Sequence, residues 1–210
     1  MTPNEKRNEL LGAKMAKAFG KRNIDCHYCP TCTDAIDKVK ELIPKGSSIT
    51  WGGSMTLRDM RLTEALHHDE YQVFDRDLCT SPQEAQEVYR KAFFCDYYLS
   101  SANALTEDGL IVNIDGSGNR VAAITFGPKH VIIIAGINKV TADLPAAISR
   151  ARHTAAPINT TRLNLQTPCT IDGICHNCHS AQCICNVMQI IRNNIGGRIS
   201  VVLVGEDLGY

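Results

Sequence analysis

The sequence predicts an α/β protein in which a mostly parallel β-sheet is flanked by helices, with a cysteine-rich loop near the C-terminus. Segments with strand character alternate with segments of helical period, which is typical of a parallel sheet. The run Val131–Ala135 is wholly apolar, as expected of a central strand buried on both faces. Four cysteines between positions 169 and 185 are separated by polar and glycine residues that favour a loop.

The first segments establish the alternation. Apolar residues recur on one helical face over 6–20 and again over 33–43, where Thr33 or Asp34 would cap the second helix. Ser48–Trp51 is then predicted as a short strand.

The glycine turn after that strand leads into a helix predicted at 57–66, and a short strand follows at 73–74. Ser81-Pro-Gln-Glu84 is a capping box with proline at the first helical position, so it begins a helix that extends to about Phe94. Residues 96–100 are predicted to be a strand.

The second half adds a local hairpin to the pattern. Strands are predicted at 111–114 and 121–125, because the turn between them, Asp115–Asn119, is rich in glycine. Helices are expected at 144–154 and 187–194. The last strand covers Ile199–Val204.

Composition narrows the class of protein. Lys and Arg (22) balance Asp and Glu (22), and no basic, aromatic-studded face is present, so no nucleic-acid partner is expected. The polar N-terminus lacks the apolar run of a secretory signal, and Val131–Gly136, the longest apolar run, is too short to span a bilayer. We therefore expect a soluble, cytoplasmic protein in which residues 1–210 form a single domain. In a reducing compartment, ten cysteines favour metal or redox chemistry over a disulfide framework.

The C-terminal cysteines are the strongest chemical signal in the chain. Within 167–186, the predicted metal ligands are Cys169, Cys175, Cys178 and Cys185. Their short polar spacers let four soft thiolates converge on a [4Fe–4S] cluster, whose neighbouring corners suit a Cys-x-x-Cys pair. Two alternatives stay open: a structural zinc, with His176 or His179 as a ligand, and a loop of reduced cysteines. Cys183 is interpreted as a bystander.

A second cysteine group lies nearer the N-terminus. Cys26-x-x-Cys29-x-x-Cys32 resembles the first three ligands of a bacterial ferredoxin, but Ile36 stands at the fourth position. Three thiolates could hold a second cluster with one open iron, or a zinc with a ligand from elsewhere. They could equally be surface thiols.

Several motifs occur in an order that resembles the LUD (lactate utilisation) domain family. They are Trp51–Thr56, Asn103–Gly109, Asn113–Arg120, Phe126–Lys129, Ala135–Lys139 and the ending Val204–Tyr210. The cysteine segment is similar to that of the single-domain branch of the family, where it is taken for an iron–sulfur site.

The resemblance implies both a fold and a biological setting. The fold would be like that of sugar-phosphate isomerases, glucosamine-phosphate deaminase and CoA-transferases, with the ligand at the C-terminal ends of the parallel strands. Family members in lactate operons belong to a three-part system that oxidises lactate to pyruvate and passes electrons through iron–sulfur partners. The ferredoxin-like module of other branches is absent from this sequence, and Cys26, Cys29 and Cys32 are not typical of the branch.

Polar residues at predicted turns and strand ends form the candidate ligand site. Backbone N–H groups and hydroxyls of the glycine turn are predicted to grip a phosphate or carboxylate, although a tight turn would also require glycine there. Cations and amides at other strand ends would pair with the same anion. The predicted ligand-binding residues are Gly52, Gly53, Ser54, Thr56, Asn103, Asn119, Arg120, Asn138 and Lys139.

Glu107 and Asp108 precede Gly109 in a predicted turn after a strand. A carboxylate there could act as general base or nucleophile, and a solvated turn acid is the alternative.

The favoured function is an iron–sulfur LUD-domain protein in the redox metabolism of lactate or a related small carboxylate. A small anionic substrate and an electron-transfer partner protein are expected, membrane association is not, and an oligomer is compatible with the sequence. One alternative is a non-redox enzyme that binds a phosphorylated or CoA-linked ligand and uses the cysteines for structural metal. Another is a regulatory subunit that senses redox state through its thiols.

Overall fold

The computed structural model describes residues 1–68 and 70–210 of the chain. The strands of this part are β1 Asp25–Cys29, β2 Ser48–Trp51, β3 Gln72–Phe74, β4 Tyr97–Ser100, β5 Ala104–Thr106, β6 Ile111–Asp115, β7 His130–Gly136, β8 Val140–Thr141, β9 Val187–Ile191 and β10 Ile199–Val204. Its α-helices are α1 Pro3–Gly20, α2 Cys32–Leu42, α3 Met55–Asp59, α4 Leu62–His67, α5 Pro82–Lys91, α6 Asn119–Thr125, α7 Leu144–Arg150, α8 Ala156–Arg162 and α9 Pro168–Asp172.

Six strands form the main sheet in the order β1-β10-β7-β4-β2-β3, and every neighbouring pair is parallel. A second sheet has the order β8-β5-β6-β9, with β6 antiparallel to both of its neighbours. Helices flank the main sheet, so the predicted α/β class with a largely parallel sheet is confirmed.

The central strands β7 and β10 carry apolar side chains on both faces, so both faces of the main sheet must be packed against other elements. Val131, Ile133 and Val201 point into one hydrophobic cluster, whereas Ile132 and Val202 point into the other. These side chains are at most 2% exposed. Because neighbouring side chains on a strand face opposite sides, only a continuous apolar run can fill both cores.

Several helix starts follow local capping rules. The Thr31 side chain accepts a hydrogen bond from Asp34 N and begins α2, so the cap lies two residues before the predicted Thr33. Ser81 caps α5 as predicted, with Pro82 in the first turn. The Glu84 carboxylate accepts its hydrogen bond from Thr80 N at 2.8 Å.

Two predicted elements were wrong. Residues 121–125 belong to helix α6, because the Asp115 carboxylate accepts hydrogen bonds from Gly118 N and Val121 N and turns the chain into a helix. Residues 187–191 form strand β9, because the whole segment pairs in antiparallel register with β6. Tertiary pairing therefore overrode the local preference for a helix.

Two predicted helices have different bounds. The segment 57–66 contains parts of α3 and α4, separated by Arg61 in the left-handed conformation (φ 56°). The helix from Leu144 extends to Arg162 through a π-helical turn at Ala151–Ala155. Pro157 lacks the N–H that a regular α-helix would require, and the wider turn accommodates this loss.

None of the helices in the described part of the chain combines the length and apolar character needed to cross a membrane.

The cysteine segment, predicted as loop, contains the short helix α9 and is otherwise irregular as far as β9.

Candidate functional site

A cleft of about 280 Å³ opens at the carboxyl ends of the parallel strands. Ser54 follows β2, Arg76 follows β3, Ser101 follows β4, Lys139 follows β7 and Tyr210 lies beyond β10, and all five line this cleft. Loops at the carboxyl ends of parallel strands form ligand sites throughout open α/β sheets. The sequence prediction of a strand-end site therefore coincides with a real cavity.

Most of the predicted ligand-binding residues line the cleft, but two do not. Gly52 packs instead against the Tyr98 hydroxyl. Asn138 Oδ1 accepts a hydrogen bond from Leu208 N at 3.2 Å and so holds the C-terminal segment in place. The residues that the cleft brings together are Gly53, Ser54, Thr56, Asn103, Asn119, Arg120 and Lys139.

Lys139 is buried at the cleft, with 3% of its surface exposed. Its Nζ donates to Thr56 Oγ1 at 2.9 Å, to Ser101 Oγ at 3.1 Å and to the Ala102 carbonyl at 3.2 Å. Burial, followed by repulsion from Arg150 and Arg120, lowers the pKa of Lys139 to about 7.

Arg120 is a scaffold for the cleft and has little donor capacity left for a ligand. Its Nη1 donates to Ser101 O and to Asn113 Oδ1, and its Nη2 donates to Asn103 Oδ1 and Ile114 O, at 2.6–3.1 Å. The guanidinium thus joins the end of β4 to β6. Its burial lowers the pKa of Arg120 from the usual value.

Arg76 is a cleft residue that the sequence reasoning missed. Its Nη1 donates to the Tyr89 hydroxyl, and its buried Nε makes no hydrogen bond within the described residues but forms an ion pair with Asp77 Oδ1 at 3.3 Å. A Cβ at Gly53 would collide with this guanidinium, so glycine at position 53 admits Arg76 to the cleft. A guanidinium that lines a cleft and keeps donors that are not hydrogen-bonded is suited to an anionic ligand.

Other cleft residues also escaped sequence reasoning. Arg76 and Ser101 directly follow strands, so strand-end placement is a signal that could have found them. Asp115, Asn159, Arg162 and Tyr210 come from β6, α8 and the C-terminal segment, and their approach to the cleft has no local signature.

Glu107 and Asp108, predicted as catalytic, lie outside the lining of the cleft. They occupy the β5–β6 turn, where Glu107 forms an ion pair with Lys14 and Asp108 pairs with Arg22 at 2.6 Å. The ion pairs join the second sheet to α1, through Lys14, and to the residues just after that helix, through Arg22.

A second cavity, of about 470 Å³, is lined by the C-terminal cysteines. All four predicted metal ligands contribute to its wall: Cys169, Cys175, Cys178 and Cys185. Cys183, interpreted as a bystander, lines the same cavity, as do His176 and His179.

Polar groups lie within hydrogen-bonding distance of three of these sulfurs. The Ser180 hydroxyl donates to Cys178 Sγ at 3.0 Å, and this hydrogen bond, with another from the Ser180 backbone, lowers the pKa of the Cys178 thiol. Arg152 Nη2 donates to Cys175 Sγ at 3.7 Å, and Thr167 Oγ1 lies 3.2 Å from Cys169 Sγ. Donors around sulfur stabilise thiolates and tune iron–sulfur centres.

Within residues 1–68 and 70–210, no group of three or more His, Cys, Asp or Glu side chains is arranged to hold a single metal ion. A lone zinc draws its four ligands to about 2.3 Å from one point. A [4Fe–4S] cluster binds each thiolate at a separate corner, so its ligands surround a larger body. The four cysteines share the lining of one cavity.

Cys26, Cys29 and Cys32 are not brought together as a metal site. Cys26 packs against one hydrophobic cluster of the main sheet and Cys29 is buried in the other, because positions three apart on a strand face opposite sides. Cys32 begins α2 and contacts Glu206 through both its backbone N–H and its thiol.

The two cavities are neighbours. Ile114, Ala156 and Ile184 contribute to the lining of both, whereas Ser54 lines only the cleft and Cys185 only the cysteine cavity. Apolar side chains of these three residues therefore lie between the polar residues of the cleft and the thiols.

Comparison with known sequences decides the family. The family profile of the LUD domain matches residues 12–204. The chain belongs to the LUD domain family. A comparison with curated proteins finds no match.

One solved structure supports the fold of this LUD domain. A DUF162 family protein from Deinococcus radiodurans is similar, with a TM-score of 0.52 and 9% identity over 95% of this chain and 98% of that chain. eIF2B beta from Chaetomium thermophilum has a TM-score of 0.40 and 12% identity, over 54% of this chain and 44% of that chain. At 9% identity, the first similarity establishes a shared fold over nearly the full length of both chains.

Proposed function

We propose that this LUD domain protein binds lactate, or a related small carboxylate, in the strand-end cleft, and that it carries a [4Fe–4S] cluster in the cysteine cavity for redox metabolism of that acid. The observation that supports this proposal best is the shared wall of the two cavities, formed by Ile114, Ala156 and Ile184. Family membership supports a role related to lactate utilisation in general terms.

The charges of the cleft favour an anion. Arg76 and Arg162 both line it, and Arg162 directs Nε and Nη2 to the neutral partners Asn159 and Tyr210. Asp115, the carboxylate in the lining, accepts backbone hydrogen bonds at the start of α6. A carboxylate ligand would supply acceptors to the Arg76 guanidinium, whose Nε makes no hydrogen bond within the described residues and has only the ion pair with Asp77 at 3.3 Å.

The cysteine cavity has the donor set for the cluster. Cys169, Cys175, Cys178 and Cys185 would hold its four irons, and Ser180 and Arg152 would donate hydrogen bonds to two of the sulfurs. When bound, such a cluster supplies one-electron transfer. The apolar residues shared by the two linings would lie between the acid and the cluster.

Anaerobic purification with iron, sulfide and zinc analysis identifies the bound metal. Electron paramagnetic resonance tests whether an acid in the cleft affects the cluster. We expect about four irons per chain, calorimetric binding of lactate or pyruvate, and a change in the cluster spectrum when the acid binds. Colourless protein with one zinc, or no binding of either acid, would contradict the proposal.

A second candidate follows from the positions of the cleft cations. Arg76 comes from the turn after β3 and Arg162 from α8, so a ligand with two anionic groups could contact both. A phosphorylated or CoA-linked acid would satisfy this geometry without redox chemistry. Binding of a phosphorylated acid at least 10-fold tighter than lactate, in protein without iron, would favour this candidate.

A further inference from the structure

Lys139 is a buried primary amine for which the function proposed above requires no role. Its Nζ lines the cleft while the residue is 3% exposed. Within the described residues it has neutral hydrogen-bond partners and forms no ion pair with a carboxylate. Burying an unpaired ammonium ion destabilises a fold, and lysines placed in this way serve as nucleophiles or bases in many enzymes.

The surroundings of Lys139 favour the neutral amine. Arg150 donates to the carbonyls of Asn103 and Asn138, and Arg120 lies at the same end of the sheet. Both positive charges repel a proton on Lys139, and burial acts in the same direction, while Asp59 acts weakly against them. With a pKa of about 7, a large fraction of the amine is uncharged and nucleophilic at neutral pH.

We propose that Lys139 forms an imine with the ketone carbon of a small 2-oxo acid bound in the cleft, with Arg76 holding the carboxylate of that acid. The inference rests on the proposed function, because a 2-oxo acid is the oxidised form of the 2-hydroxy acid assigned to the cleft.

The chemistry balances without an oxidant or reductant. The lone pair of Nζ forms a bond to the ketone carbon, and the π electrons of the carbonyl move to oxygen. A proton passes from nitrogen to that oxygen, and loss of water leaves a C=N bond. Ser101 Oγ and Thr56 Oγ1 lie 3.1 and 2.9 Å from Nζ, where a hydroxyl can carry the proton.

Exposed lysines of the chain lack this environment. Lys129 is paired with Asp96 at 2.7 Å, and that hydrogen bond raises the pKa of Lys129. Lys14 forms an ion pair with Glu107. Lys129 therefore remains protonated at neutral pH, which makes it a poor nucleophile and a matched control.

The test is reductive trapping of the purified protein with pyruvate and cyanoborohydride, followed by intact mass measurement and peptide mapping. We expect one carboxyethyl adduct per chain, located on Lys139. Lactate added as a competitor should lower the yield of this adduct. Lys139→Arg should abolish this adduct, whereas Lys129→Met should leave it unchanged. Mapping in the unsubstituted chain keeps the result independent of how well the Lys139 variant folds.

Two results would overturn the inference. If calorimetry shows that pyruvate binds but no adduct appears on Lys139, imine formation is wrong and the binding function stands. If neither pyruvate nor lactate binds, the proposed function fails together with the inference.

Discussion

Gly116, at the end of β6, packs directly against Ile184 in the cysteine segment. A Cβ at position 116 would lie 3.2 Å from the Ile184 Cα, and Asn186 Nδ2 donates to the Gly116 carbonyl at 3.0 Å. Residues 116 and 184 both line the cleft, and residue 184 also lines the cysteine cavity. This contact is one of the places where the cleft and the cysteine cavity adjoin.

Gly116→Val is expected to weaken both sites at once, since the new side chain must displace the Ile184 backbone. Iron retention after anaerobic reconstitution and calorimetric affinity for lactate should both decrease. Gly20→Val is the control, because a Cβ at position 20 meets no atom within 4 Å. Loss of only one of the two properties would show that the sites are independent.

Replacing single cysteines by serine tests the ligand set. Each substitution at Cys169, Cys175, Cys178 or Cys185 should remove most of the iron, since an incomplete thiolate set holds a cluster poorly. Cys183→Ser should retain it. Cys79→Ser, outside the cavity lining, controls for the loss of a thiol. Iron loss in Cys183→Ser equal to that of the other four would reassign the ligands.

Arg76→Lys tests the anion contact while it preserves positive charge. A lysine ammonium lacks the planar fork of a guanidinium, so affinity for lactate or pyruvate should fall about 10- to 100-fold. Arg90→Lys is the matched control, because Arg90 pairs with the exposed Glu87 and lies outside the cleft lining. Equal affinities in the two variants, measured by calorimetry, would remove Arg76 from the site.

Arg120→Met tests the assignment of Arg120 as a scaffold. Four acceptors from Ser101, Asn103, Asn113 and Ile114 lose their donor, so the free energy of unfolding should fall by roughly 3 kcal/mol. Arg90→Met removes only an exposed pair with Glu87 and should cost about 0.5 kcal/mol or less. Urea unfolding at one pH gives the free energies of unfolding of both variants and of the parent protein.

Lys139 should leave a signature in the pH dependence of stability. Its pKa is about 7 in the folded protein and about 10.4 when unfolded. Between these values the unfolded chain binds the additional proton, so the penalty for burying the charge is complete below pH 7 and disappears as pH rises.

The parent protein should therefore gain stability relative to Lys139→Met between about pH 7 and pH 10. The measurement is the difference in free energy of unfolding between the two proteins at several pH values, which cancels the contributions of cysteines and tyrosines. A constant difference would mean that Lys139 keeps its usual pKa.

Local sequence patterns predicted much of the main sheet and the helices with clear caps. Ser48–Trp51, Val131–Ala135 and Ile199–Val204 were recognisable because apolar period and turn residues act over a few neighbouring positions. The glycine turn was placed correctly at a strand end for the same reason. The four C-terminal cysteines were recognisable because they share one short segment. Turns within that segment are enough to bring them to one cavity.

Tertiary structure decided what depends on contacts between distant segments. The strand at Val187–Ile191 exists because β6 pairs with it, and Arg76 enters the cleft because Gly53 makes room. Lys139 acquires its low pKa only through burial beside Arg120 and Arg150. The sequence by itself determined which chemical groups the chain carries and the local turns that hold them. Desolvation and close packing depend on the whole fold, and they decided which of those groups meet and in which protonation state.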